Sequence, residues 1–145
     1  MPENKCTAFQ RVGGQEAVDR LVDAFYRNMD SFPEAREIRA MHSEDLGPTR
    51  VLLKTYLAEW LGGPNHYSAQ KGHPRMRMRH ANLRIGSAER DAWLLCMNAA
   101  LDETIADEPM RRRIGQDLAK LADWMRNDPG NPHDSRHTVA APAKV

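Results

Sequence analysis

Arg75-Met76-Arg77-Met78-Arg79-His80 alternates basic and apolar side chains and ends on a histidine. It lies in a stretch from Asn65 to Gly86 that reads as irregular, apart from a short helical turn that the spacing allows around Arg75 to Ala81. A connection of about 20 residues without regular structure is uncommon in a compact domain unless it carries function or is ordered by something else. What orders this one decides the fold.

On both sides of the stretch the chain reads as helix. Gly13-Gly14 precedes a first helix, Gln15 to Met29, with Val18, Leu21, Val22, Phe25 and Met29 at helical spacing. Pro33 suits the first turn of a short second helix ending near Met41. Gly47-Pro48 opens a third, with Leu53, Tyr56, Leu57 and Trp60 on one stripe, and Gly62-Gly63-Pro64 stops it. Beyond the irregular stretch, Ser87 is placed to cap a fourth helix carrying Trp93, Cys96, Met97, Ala100 and Leu101 on one face. A fifth starts at Asp107-Glu108-Pro109, lines up Met110, Ile114, Leu118, Leu121 and Met125, and ends at Asp128-Pro129-Gly130. Val, Ile and Thr together number only 15, and no Asn-Gly or Asp-Gly turn separates alternating runs. The reading is all-α.

The 145 residues suit one domain, expected over 9–127, with an N-terminal extension over 1–8 and a mobile tail over 128–145. Lys plus Arg is 21 against 20 for Asp plus Glu, which argues against a nucleic-acid coat. Lys71, Arg75, Arg77, Arg79 and Arg84 have no interleaved aromatics to stack on bases, so a solvated loop is the better reading. No apolar run approaches the roughly 18 residues of a membrane span. Met1-Pro2-Glu3-Asn4-Lys5-Cys6 has no secretory pattern, and Cys6 and Cys96 form no CxxC motif. Cytoplasmic residence is therefore expected, with no nucleic-acid or membrane partner. Cys6 is read as an exposed thiol and Cys96 as a small core residue.

Five short helices can pack as an ordinary bundle with the aromatics filling its centre. Against that plain reading stand two polar aromatics on apolar faces. Tyr26 follows Val22 by four residues and Trp93 opens the fourth stripe, and each carries a hydrogen that needs a partner when buried. A flat apolar cofactor between the helices satisfies these and the basic, histidine-tipped stretch together. One histidine would ligate its metal and arginines would face its acidic groups. Haem meets this description, since one neutral imidazole suffices to hold its iron. Without CxxCH, attachment would be non-covalent.

The chain resembles the group II (O-type) truncated haemoglobins. The resemblance is carried by Val12-Gly13-Gly14, Phe25-Tyr26, and Trp60-Leu61-Gly62-Gly63-Pro64 with Tyr67 following. Gly72-His73-Pro74 running into Arg75 to His80, and Glu89 to Met97 with Trp93 thirteen residues after His80, complete it. It spans about residues 9–127. It implies a two-over-two helical sandwich around haem b. His80 falls at the proximal-ligand position and Tyr26 and Trp93 at the two distal donors. Thr49 and Leu53 fall where the third helix faces the ligand, and Tyr67 and Arg79 at positions that meet the propionates. The segment before the third helix departs from the common pattern, with Met41-His42 where Tyr or Phe is usual. His42 aligns with that distal position, and a one-residue shift would place Met41 there. A histidine there can hydrogen-bond the ligand or reach the iron. His66, His73, His133 and His137 are read as ordinary turn, loop and tail residues.

The resemblance implies a binder of O2, CO or NO, with redox chemistry on the ligand or sensing as its roles. A peroxidase or nitric oxide dioxygenase taking peroxide or gas, with electrons from a separate reductase, is the enzymatic alternative. A haem-free helical interaction module is the remaining one. Either a monomer or a homodimer suits the sequence.

Overall fold

A computed structural model describes residues 7–72, 80 and 83–127, and every regular element among them is helical. Of the Arg75 to Ala81 turn only His80 is described, and Cys6, His73, Arg79 and the tail lie outside the described residues. The chain begins with α1 (Ala8–Val12), which the sequence reading did not separate. A reciprocal cap explains it: the Thr7 hydroxyl accepts from the Gln10 backbone N–H while the Gln10 side chain accepts from that of Thr7, both at 3.1 Å. Gly13, at φ 119°, turns the chain into α2 (Gly14–Ser31) through a conformation that a side chain would strain.

Ala17, Val18, Leu21, Val22, Phe25, Tyr26 and Met29 are buried on α2, while Arg20, Arg27 and Asp30 face solvent. That is the amphipathic period read from the sequence. A 3₁₀ turn at Pro33–Ala35 leads into α3 (Arg36–Ala40). Pro48 sits in the first turn of α4 (Gly47–Trp60). α5 (His66–Lys71) corrects the irregular reading of Asn65 to Gly86, because its six residues carry one apolar anchor, Tyr67, and show no period. The Glu59 carboxylate accepts from the Ser68 N–H at 2.8 Å and ties α5 to α4.

Ser87 is the first residue of α6 (Ser87–Thr104), not its cap. Gly86 precedes it, and the Glu89 carboxylate reaches back to the Gly86 N–H at 2.7 Å. The Asp107 carboxylate caps α7 (Glu108–Trp124) through the Met110 N–H at 3.1 Å.

α2 packs most extensively against α6, with α4 beside α2 and α7 beside α6. This sets one helix pair on another. Phe25, Leu21, Met97, Cys96 and Leu101 fill the contact at 2% exposure or less. Each such side chain stabilises the fold by about 1.5–3 kcal/mol through burial. Asn28, the one buried polar side chain besides the tyrosines among the described residues, donates from Nδ2 to the Cys96 carbonyl at 3.0 Å. It therefore pins α2 to α6.

Gly63 closes the other end of α4. Phe9 donates its N–H to the Leu61 carbonyl at 2.9 Å, and its ring lies where a Gly63 Cβ would stand, 2.7 Å away. The Ala58 carbonyl would be 2.9 Å from the same Cβ. Gly63→Ala should therefore cost about 1–3 kcal/mol, a drop of several degrees in Tm by circular dichroism. An unchanged melt would show that α1 gives way freely at this seam.

Candidate distal pocket and proximal histidine

The Phe25 ring stands between two polar aromatics, its centroid 4.8 Å from that of Tyr26 and 5.1 Å from that of Trp93. Tyr26 is 3% exposed and Trp93 is half-buried against the core. Neither the phenol oxygen nor the indole N–H has a hydrogen-bond partner among the described residues. No fully buried polar side-chain atom among those residues lacks a partner, so both groups open onto accessible space instead of packed core. Two unpartnered donors on facing helices are what a polar ligand between them requires.

Burial pushes the Tyr26 hydroxyl up to about 12, with the Arg50 cation pulling the other way. Tyr26 is thus a neutral donor over the physiological range. Arg50 lies over the Tyr26 ring, its guanidinium carbon 5.7 Å from the centroid. Asp23 holds both Arg50 and Lys54 at 3.1 Å and so fastens α4 to α2. Burial opposes ionisation of Asp23, but the hydrogen bonds from Lys54 and Arg50 together keep its carboxyl below the ordinary value.

The His42 ring centroid is 6.0 Å from that of Tyr26. Its Nδ1 is 2.8 Å from the Ile38 carbonyl, which can only accept, so Nδ1 carries a proton. In the neutral ring Nε2 is then an acceptor, and His42 donates from Nε2 only when doubly protonated. Arg39 shapes the turn after α3, binding the Asp30 carboxylate at 2.6 Å and the Ser43 and Glu44 carbonyls at 2.9 and 3.1 Å.

Thr49 and Leu53 are both half-buried, one helical turn apart on the same face of α4. Tyr67 is buried and meets Tyr56 edge-on with centroids 5.5 Å apart, a second aromatic pair outside the Tyr26 group. His80 is half-buried in a turn on the connection from α5 to α6, and its carbonyl accepts from the Leu83 N–H at 3.0 Å. The structure thus brings Tyr26 and Trp93 together against Phe25, sets His42 beside Tyr26, and leaves His80 on a different connection. A surface cleft of about 620 Å³ between α1, the end of α4 and α7 includes none of these residues.

The bacterial-like globin family model matches residues 7–127. The chain belongs to this family. The globin is 39% identical over 114 residues to the group 2 truncated hemoglobin YjbI of Bacillus subtilis, covering 79% of this chain and 84% of that one. Its structure is similar to a group II 2-on-2 hemoglobin from Agrobacterium tumefaciens, with a TM-score of 0.84 and 41% identity, covering 88% and 98% of the two chains. A thermostable hemoglobin from Thermobifida fusca matches with a TM-score of 0.78 and 39% identity over 85% and 98%. The all-α two-over-two globin fold and the group II resemblance hold.

Globin membership implies haem. The chemistry of the residues fits it: Tyr26 and Trp93 carry hydrogen-bond donors on facing helices beside Phe25, and His80 carries an imidazole on the connection into α6. A single axial imidazole suffices to hold the iron. No helix among the described residues is long and apolar enough to cross a membrane.

Sequence reading missed Asn28, Arg50 and Asn127. Asn28 left one signal, an amide on the otherwise apolar face of α2. Arg50 and Asn127 left none, since their partners are 27 and 42 residues away in the chain.

Proposed function

We propose that this globin binds haem b through the His80 imidazole and holds a diatomic gas, O2, CO or NO, on the side of Tyr26 and Trp93. When bound, haem supplies an iron with one position open to the gas. His80 holds that iron with a neutral ring nitrogen. Tyr26 and Trp93 offer their hydrogens to the ligand from helices pinned together by Asn28. Thr49 and Leu53 line the α4 side, and Tyr67 and Arg79 are the residues assigned to pair with the propionates. His42, with its Nε2 lone pair, sets the polarity of the pocket beside Tyr26. Two donors aimed at one ligand suit retention, sensing or chemistry on the gas better than delivery.

The observation that carries this reading is the pair of unpartnered donors flanking Phe25 in a chain of the globin family. The test is an absorption spectrum of the freshly purified protein, then of the ferrous form under CO and under air. A Soret band that shifts with each gas supports the reading. A colourless protein that takes up no haemin on titration overturns it.

A further inference from the structure

We infer that Asn127 is a positioning residue for the proximal histidine, acting on the backbone that carries His80. The inference rests on the axial role proposed for His80. Asn127 follows α7 and is half-buried against the connection leading into α6. Its backbone N–H donates to the Ile85 carbonyl at 2.8 Å, and its Oδ1 accepts from the Ile85 N–H at 2.8 Å. The side-chain amide and the main chain of one residue thus bracket Ile85 much as a neighbouring strand would. From the same amide, Nδ2 donates to the Leu83 carbonyl at 2.8 Å and, at a longer 3.5 Å, to the His80 carbonyl.

An asparagine amide has two N–H hydrogens and one carbonyl, and here it meets two carbonyls and one N–H. Aspartate has the same shape but presents an oxygen to the two carbonyls. Alanine makes none of these bonds. Serine has a single hydroxyl hydrogen for the two carbonyls.

The consequence concerns the direction of the His80 side chain. The His80 carbonyl already accepts from the Leu83 N–H at 3.0 Å, closing a turn. Asn127 bonds both carbonyls of that turn and so ties its orientation to the end of α7. α7 is itself joined to α6 there, where the Asp123 carboxylate accepts from Arg90 at 2.6 Å and from Arg126 at 2.7 Å. The backbone that sets the Cα–Cβ direction of His80 is therefore referred to the packed α6/α7 pair. Groups that orient a metal-ligating histidine typically hold it in one ring position, and their loss weakens metal affinity.

The experiment uses the haem-loaded protein with Asn127→Ala and Asn127→Asp, and His80→Gly as a control. Three quantities are read: the iron–imidazole stretching band of the ferrous unliganded form by resonance Raman, the rate of haem loss to an excess of apomyoglobin, and Tm. Both variants should shift or broaden the band and speed haem loss roughly tenfold, with Asn127→Asp at least as affected as Asn127→Ala. Asn127→Asp preserves the acceptor for Ile85, so an effect confined to a lower Tm would mark a purely structural residue. An unaltered band in both variants overturns the inference whatever happens to Tm, and so does failure of both to fold. If His80→Gly abolishes the band while the Asn127 variants leave it intact, only this inference falls. If His80→Gly leaves the band in place, the axial assignment falls and takes this inference with it.

Discussion

Replacing His80 with glycine should reduce haem retention by more than about a hundredfold, since loss of a partner behind a ligating histidine already costs about 10–100-fold. The Soret band of the purified variant should fall accordingly. Imidazole added to the medium should restore it, because the glycine leaves room for a free ring on the same side. The obvious competitor is His42, the histidine whose ring lies beside Tyr26. Its Nδ1 is committed to the Ile38 carbonyl at 2.8 Å, which leaves Nε2 with a lone pair and makes it chemically able to ligate iron. His42→Ala therefore serves as the paired variant. Haem retention surviving His42→Ala but not His80→Gly places the axial ligand at 80. The opposite result transfers the role to His42 and exchanges the two sides of the pocket.

The two residues differ in how much of their setting could be read from the sequence. The amphipathic periods of α2 and α7 lie within single helices, so their apolar stripes announce both the element and its buried face. Tyr26 and Trp93 were legible for the same reason, as polar hydrogens placed on such stripes. α1 and α5 were not, because each is about one and a half turns long and carries too few apolar residues to show a period. The cap of α6 was misplaced by one residue, since Ser87 is the stronger capping type while the structure uses the Glu89 carboxylate on the Gly86 N–H. What fastens the site was least visible. The Asn28 bond to the Cys96 carbonyl spans 68 residues, and the Asn127 bonds span 42 to 47. No local pattern encodes contacts of that kind.

Tyr26→Phe and Trp93→Phe should each speed oxygen release, measured by stopped-flow displacement with CO. Each variant removes one donor and leaves an aromatic ring to pack on Phe25, the same ring at 26 and a smaller one at 93. A hydrogen bond to a charged or strongly polarised acceptor contributes about 1.5–3 kcal/mol, so each change should raise the rate by roughly 10–150-fold. The double variant should gain less than the product of the two. Both donors serve one small ligand and both rings touch Phe25, so the loss of either lets the ligand turn toward the other. Neutral His42 has no hydrogen on Nε2 to offer, so His42→Leu should alter release less than either change. The pH dependence separates Tyr26 from Trp93. With its hydroxyl raised from 10.0 to about 12, Tyr26 keeps its proton through the whole range in which an exposed phenol would lose it. While His42 is neutral, release should therefore stay flat in the wild type up to that range, and the Tyr26 contribution should vanish as pH rises through about 12. The folded state binds this proton more tightly than the unfolded chain, so the associated stability is fully present below 10.0 and is lost across the same window. Tyr26→Phe should abolish that alkaline loss, and Trp93→Phe should retain it. If neither single variant releases oxygen faster than the wild type, the two donors do not face the ligand and the distal side of the pocket lies elsewhere.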